Sequence, residues 1–339
     1  MRTAFGQEFD VPDGYLNTAG IGIPPAPAGM AVATAVAGWR AGAGRPGEFD
    51  EPVARARAGF ADLVGVTADR VTIGPAASAL VGLVAAVVPD GTRVLAAAGE
   101  FTSVTWPFAA QADRGVTVTE VDLGEVGERA GEFDLVAVSV VQSADGRVVD
   151  LDALRSARGG GTRVLLDATQ SLGWHDADLA WADAVVAAGY KWLLSPRGVA
   201  WMAVRPDLPT RPHSAGWYAG ADPWTSIYGL PMDLAADARG LDTSPAWYCH
   251  AGAAVALPWL AGLDRAAVHA HCTGLADTVR AGLGMEPAGS AIVSVRREDA
   301  GEQLAAAGIV SANRAGASRL AFHLYNTEAD AARALDALT

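Results

Sequence analysis

An open α/β sheet covered by helices on both faces is the fold class the sequence predicts, and three observations predict it. Short apolar, β-rich runs recur between helical stretches. Several of them are apolar at nearly every position, as strands buried on both faces of a mainly parallel sheet must be. The 339 residues are also 51% hydrophobic and only 19% charged, with a mean hydropathy of +0.20. That mix fills a large core and excludes a disordered chain.

Taken in order, the strand candidates are 71–74, 93–97, 116–121, 135–142, 163–168, 184–190 and 199–204. Helix candidates lie between them at 76–88, 101–114 and 151–158. This alternation is that of a sheet wound with helices on both sides. From 205 to 245 the texture changes to Pro, Gly, Trp and Asp without a sustained period, as in a long functional loop region. Helices at 251–261 and 265–282 follow, then strands at 291–296 and 319–325. Thr327 with Asp330 three residues later marks the start of a last helix at 328–338. The predicted organisation is an N-terminal segment (1–30) joining a small domain and the active site, a large domain (31–240), and a small α+β C-terminal domain (241–339).

Charge narrows the partners. Twenty-five Lys and Arg against 38 Asp and Glu leave a net charge of −13. No basic stripe is available to displace counterions from nucleic acid. Cys249 and Cys272 fit neither a disulfide framework nor a metal knuckle. The first ten residues lack the apolar stretch of a signal peptide, and the run 76–89 is too short to span a bilayer. The expectation is a soluble cytoplasmic protein that handles a small molecule, without nucleic acid or membrane.

Common chemistries are absent as motifs. Gly20-Ile-Gly22 precedes the first sheet strand and has no third glycine, so it is no dinucleotide fingerprint. There is no phosphate-loop Gly-Lys-Ser/Thr, no His-Glu-x-x-His and no Gly-x-Ser-x-Gly elbow. His269 and His271, two apart on a helix, point to different faces, and no metal site is expected.

What remains is a pair of charges at strand ends. Asp167 closes one apolar strand, within Leu165-Leu-Asp-Ala-Thr-Gln170. Lys191 follows the next, within Gly189-Tyr-Lys-Trp-Leu-Leu-Ser-Pro-Arg-Gly198. Ligands of open α/β sheets bind at that carboxyl edge. Taken singly, Asp167 reads as a turn cap and Lys191 as a solvent-reaching side chain. Buried together, each needs a partner or a task.

With Gln170 and the Tyr-Lys-Trp-Leu-x-x-Pro-x-Gly context, the pair resembles the pyridoxal-phosphate site of class V aminotransferases. That family also includes cysteine desulfurases, kynureninases and isopenicillin-N-epimerase-like enzymes. The resemblance runs from Tyr15-Leu-Asn-Thr-Ala19 to Leu324-Tyr-Asn-Thr327 and implies the fold type I transferase architecture. It makes Lys191 the amine that condenses with the cofactor aldehyde and then moves protons on the substrate. Asp167 would pair with the pyridine nitrogen, Gln170 with the phenolic oxygen, and Tyr190 with the phosphate.

The remaining roles follow from the same likeness. Ala76, Ala77 and Ser78, opening a helix after the first sheet strand, would cradle the phosphate with backbone N–H groups. Phe101 would stack on the ring, with Trp106 behind it, and Ser143 would touch ring or substrate. Arg319, within Arg-Leu-Ala-Phe-His-Leu-Tyr-Asn-Thr327, would bind the substrate carboxylate as a fork. Asn17 is a further substrate contact by the same resemblance. Thr243, with Ser244 second, would be lent to the phosphate of a partner subunit, so a homodimer with shared sites is implied. Trp217, Tyr218, Trp247 and His250 fall in the region that would shape the substrate pocket.

Desulfurases carry a nucleophilic cysteine just before the carboxylate-binding strand. Here the stretch 308–319 has none. The resemblance therefore implies an amino-acid β-elimination lyase of carbon–sulfur type, with an epimerase or aminotransferase as the alternative. A dimeric scaffold that has lost catalysis is the alternative of another class.

Overall fold

A computed structural model describes all residues 1–339. A hairpin of β1 (Arg2–Ala4) and β2 (Gln7–Phe9) leads to helices α1 (Ala26–Arg40) and α2 (Asp50–Val64). The sheet body then follows as β3 (Val71–Gly74), α3 (Ala77–Ala85), β4 (Arg93–Ala97), α4 (Thr102–Ala109), β5 (Thr117–Val121) and α5 (Leu123–Arg129). It continues with β6 (Leu135–Ser139), α6 (Leu151–Gly159), β7 (Arg163–Asp167), β8 (Ala184–Ala188) and β9 (Ala200–Val204). After a long irregular stretch come α7 (Trp247–Ala261), α8 (Arg265–Gly282), β10 (Ile292–Val295), α9 (Ala300–Ala306), β11 (Ala312–Arg314), β12 (Ala317–Ala321) and α10 (Glu328–Leu338).

Seven strands form one sheet in the order β3-β9-β8-β7-β6-β4-β5, and three form a second in the order β10-β12-β11. In the large sheet only β9 is antiparallel to its neighbours. Strands β3, β8, β7, β6 and β4 therefore all end on one edge, with β7 at the centre. Side chains alternate between two cores. Val136, Val138, Val164, Leu166 and Val185 face a cluster that includes α2 and α7. Leu135, Ala137, Leu165, Ala184 and Val186 face a second cluster built on α3 and α4. Burial on both faces is why these runs carry no polar alternation.

The C-terminal sheet packs with α8, α9 and α10 around Val293, Leu304, Leu320, Phe322 and Leu338. Leu16 from the N-terminal segment joins that cluster, and isolated bridges Tyr15–Val310 and Asn17–Ala321 tie the segment alongside. The Thr327–Asp330 capping box is present at the start of α10. Asp330 is tied further by Arg2 at 2.5 Å and by the N–H of Gly14 at 3.1 Å.

Some boundaries differ from the sequence reading. Two helices, α1 and α2, precede the sheet and were not anticipated. In α1 only Ala28 is buried, so its Ala/Gly-rich sequence has little apolar stripe to reveal it. The strand expected to run to Tyr325 ends at Ala321, because the chain then turns. Asn326 Oδ1 accepts from His323 N–H, and Asn326 Nδ2 donates to Tyr15 O. The strand expected to reach Gln142 ends at Ser139, whose N–H is taken by the Glu100 carboxylate. The region 205–245 holds only short 3-10 turns at Trp217–Ala219 and Ala238–Leu241. No helix is long and apolar enough to cross a membrane.

Candidate active site

The shared strand edge assembles a cavity of about 280 Å³. The end of β3 contributes Pro75, Ala76, Ala77 and Ser78, and the turn after β4 contributes Phe101 and Ser103. Strand β6 and the loop after it add Ser139 and Ser143, β7 delivers Asp167, Thr169 and Gln170, and β8 leads to Ala188, Tyr190 and Lys191. Because β9 runs the other way, Arg197, Gly198 and Val199 enter it from this same edge.

Lys191 is 6% exposed. Its Nζ lies 5.3 Å from the ring centre of Phe101 and 5.6 Å from that of Tyr190. Burial lowers its pKa to about 8, against the opposing pull of Asp167, and the positive charges of Arg319, Arg314 and Arg197 lower it further. The uncharged amine is therefore a minor form at neutral pH, but far more abundant than for an ordinary lysine, and it becomes the major form above about pH 8.

The lysine turn is held from outside the sheet. Gly22 N–H donates to Tyr190 O at 2.9 Å. A Cβ at Gly22 would overlap the carbonyl oxygen of Lys191. The N-terminal segment can approach this closely only with glycine there.

Asp167 is 4% exposed and accepts from Thr169 N–H at 2.7 Å. Burial pushes its carboxyl pKa up, the Thr169 hydrogen bonds oppose this, and the nearby Glu100 charge adds to the rise. A buried carboxylate in that setting favours a protonated nitrogen as partner. Gln170 is fully engaged. Its Nε2 donates to Ala19 O at 3.1 Å and Ser143 Oγ at 3.0 Å, while its Oε1 accepts from Trp192 Nε1 at 2.7 Å.

Arg319, on β12, lies behind the cavity wall and is tied to it through Ser143. Its Nη1 donates to the carbonyl of Ser143 and, at 3.1 Å, to Ser143 Oγ. It is 1% exposed, and its buried Nε has no partner in the chain. Burial lowers its pKa to about 10, with Arg314 adding to the effect. The buried Oδ1 of Asn17 is likewise unpartnered. Unsatisfied donors of a buried guanidinium are costly and fit an absent carboxylate.

Not every expected residue gathers here. Thr243 does not line the cavity; its N–H bonds Ile73 O at 3.4 Å. Asp242 beside it accepts from both Nη atoms of Arg57, at 3.2 and 2.6 Å, and from Thr72 Oγ1 and Ile73 N. Tyr218 is buried near this pair, Trp217 packs on Trp224 and Tyr218, and Trp247 stacks on Phe49. His250 is fully buried edge-on to Trp201, and burial lowers its pKa to about 3. These four lie outside this cavity of the chain. His269 stacks on Trp174 and His175, whereas His271 meets Phe5, in keeping with their different helix faces.

Two residues escaped the sequence reading. Glu100 is buried and takes four donors: Phe101 N, Ser139 N, Ser139 Oγ and Gln142 Nε2, at 2.6 to 2.9 Å. It staples the ends of β4 and β6 beneath the cavity. Its signal was a carboxylate three residues past the apolar strand β4, weaker than that of Asp167, which is the last residue of its strand. The other is Arg197, whose side chain lies against the Tyr190 ring.

The sequence matches the family described as aminotransferase class V over residues 34–301. No curated protein is significantly similar in sequence. Among solved structures, a cysteine desulfurase from Thermococcus onnurineus NA1 superposes with a TM-score of 0.82 at 17% identity, covering 96% of this chain and 94% of that one. The cystine C–S lyase C-DES, in complex with its product cysteine persulfide, gives 0.83 at 18% identity and 97% of both chains. The cysteine desulfurase CsdA from Escherichia coli gives 0.78 at 18% identity, covering 97% and 95%.

Proposed function

The chain belongs to the class V aminotransferase family, and from that premise we propose that it is a pyridoxal-phosphate-dependent lyase that eliminates a sulfur-linked group from an amino acid. The observation that carries the reading is the Lys191–Asp167–Arg319 set at one strand edge. The Lys191 amine and the buried Asp167 carboxylate line a cavity of about 280 Å³, and the Arg319 guanidinium, with an unpartnered Nε, is bonded to the lining residue Ser143. A mutant of the similar cystine lyase carries glycine covalently linked to its PLP cofactor, in keeping with a site of this kind.

The residues present fit the cofactor. N–H groups at the start of α3, with Ser78, suit a phosphate. Phe101 would stack on the cofactor ring, and Asp167 would hold a proton at the pyridine nitrogen. When bound, the cofactor supplies an aldehyde that captures amines and an electron-poor ring that delocalises negative charge from the substrate's α-carbon. Arg319 grips the substrate carboxylate through Nε and so orients the bond to be broken. Lys191, as its uncharged amine, would remove the substrate's α-proton.

Lyase is favoured over persulfide-forming desulfurase by the cysteines. The β11–β12 hairpin closes in a two-residue turn of Ala315 and Gly316, both with positive φ, and bears no thiol. Cys272 is fully buried, and burial drives its thiol pKa far up. Cys249, half-buried on α7, donates to Arg197 O.

A homodimer in the cytoplasm is part of the same reading. Met30 and Trp39 of α1 are 66% and 63% exposed beside an apolar groove shared with α2 and α7. A second copy covers this face in the reading we favour, and Thr243 then serves the partner's phosphate.

The test is direct. Protein reconstituted with pyridoxal phosphate gains a visible absorption band that borohydride or Lys191→Ala abolishes. Cysteine conjugates then yield pyruvate and ammonia. A keto acid with pyridoxamine phosphate would instead mark a transaminase, and loss of optical rotation an epimerase. Protein that stays colourless refutes the enzyme reading altogether.

A further inference from the structure

Neither cation that lines the cavity has a hydrogen bond or ion pair in the chain. Of its lining residues only Lys191 and Arg197 are basic, and only Asp167 is acidic. Lys191 is committed to the aldehyde. The Arg197 guanidinium forms neither an ion pair nor a hydrogen bond, and its Cζ stands 4.9 Å from the centre of the Tyr190 ring. Arg197 is exposed to solvent at the cavity rim, so its guanidinium is accessible to a ligand there; its place beside the start of α3, rather than its lack of a partner, sets it apart from other exposed arginines.

The guanidinium sits on a fixed base. Cys249 Sγ donates to Arg197 O at 3.3 Å, pinning the turn to α7. Gly189 N–H bonds Val199 O at 2.9 Å, and Ser195 N–H bonds Gly189 O at 3.0 Å, clasping both flanks of the turn to the end of β8. Stacking on Tyr190 further limits the side chain. The same cavity wall contains the start of α3, where Ala76 and Ala77 offer N–H groups but no side-chain donor, and only Ser78 adds a hydroxyl. A phosphate dianion placed there meets about half a unit of helix charge. A fixed guanidinium supplies the missing charge and two parallel N–H donors.

We propose that Arg197, propped on the Tyr190 ring, is the counter-ion of the cofactor's phosphate. The assignment rests on the pyridoxal-phosphate reading above and adds the group that makes this cradle work without side-chain donors at its first two positions. It predicts that Arg197 discriminates phosphorylated from unphosphorylated cofactor and does not serve the aldehyde chemistry.

The experiment titrates full-length cofactor-free protein with pyridoxal phosphate and, separately, with pyridoxal, following the visible band and tryptophan fluorescence. Arg197→Met should weaken pyridoxal phosphate by about 10- to 100-fold, the size of a lost charge-assisted contact, while pyridoxal affinity stays within about twofold. Arg197→Lys, which keeps the charge but not the fork, should fall between. Inorganic phosphate should compete with pyridoxal phosphate in the wild type, and about tenfold more weakly in Arg197→Met. Equal losses for both aldehydes would show that Arg197 acts only on the Lys191 amine and overturn the proposal, as would no loss for either. If the wild type bound neither aldehyde, the functional reading itself would fail, an outcome distinct from a failure of Arg197 alone.

Discussion

Arg319 and Ser143 lie 176 residues apart, yet one guanidinium nitrogen donates to both oxygens of Ser143, the hydroxyl at 3.1 Å. Ser143 Oγ accepts in turn from Gln170 Nε2 at 3.0 Å. A chain of three side chains thus joins Arg319 to the strand end that bears Asp167. The guanidinium is clamped on one side, and its Nε is left as the open donor.

Substitution of Arg319 should act mainly on substrate capture. Arg319→Met should lower kcat/KM by about 100-fold or more, since a buried charge-assisted contact contributes roughly 2–4 kcal/mol. Arg319→Lys should recover little, because an ammonium lacks the fork. Ser143→Ala keeps the carbonyl acceptor and should cost about tenfold at most. Steady-state kinetics with an unchanged far-ultraviolet spectrum separates these effects from misfolding.

Lys191 should impose a pH dependence. With its pKa lowered to about 8 from 10.5, the rate of cofactor uptake by cofactor-free protein should climb up to about pH 8 and then level. Stability moves in the same direction. Burial disfavours the charged form, so the unfolded chain binds the extra proton between about pH 8 and pH 10.5, and this group's destabilising contribution, full below pH 8, fades as pH rises through that window. Lys191→Met removes both dependences, measured by stopped-flow absorbance and by urea melts of the cofactor-free protein.

Gly22→Ala should damage a residue it does not resemble. The added methyl overlaps the Lys191 carbonyl, so either the N-terminal segment or the lysine turn must move. Overpacking of this sort costs about 1–3 kcal/mol. The larger sign should be slower and weaker formation of the visible band, because the amine is displaced from the cavity. A band of unaltered intensity and rate would show that the N-terminal segment yields instead.

The Arg57–Asp242 pair should be structurally costly to break. Asp242 is wholly buried and also receives Thr72 and Ile73. Arg57→Met leaves that carboxylate buried without its counter-charge, which costs about 3–5 kcal/mol. Chemical denaturation measures the loss. In a dimer that shares Thr243, gel filtration should also show weaker association, since Thr243 is the next residue along.

Glu100→Gln should destabilise despite its small change in shape. The carboxylate receives four donors, and an amide group would turn an N–H₂ toward some of them. A loss of about 1–3 kcal/mol follows from one or two unpaired buried donors. Thermal melts of the cofactor-free protein test it.

How much was legible depended on whether one stretch of chain carried the signal. The sheet strands were readable because burial on both faces forces continuous apolar runs, and their ends located Asp167 and Lys191. The α10 capping box was readable because its two residues lie three apart. Helix α1 was not, because it packs on α7 through small, only partly buried side chains such as Val32 and shows no strong apolar stripe. Glu100 was not legible either, because nothing local tells that Ser139 and Gln142, about forty residues on, point their donors at it.

The sequence by itself determined the fold class and the family likeness and pointed to Asp167 and Lys191, because strand burial and strand ends are local properties; Arg319 came from the likeness. Only the tertiary structure decided which side chains share the cavity. It left Trp217, Tyr218, Trp247 and His250 outside, clamped Arg319 on Ser143, and set Arg197 over Tyr190. It also showed why Gly22 must be glycine. Those relations join segments tens to hundreds of residues apart. They depend on how β9 reverses direction and on how the N-terminal segment crosses the lysine turn, which no run of neighbouring residues encodes.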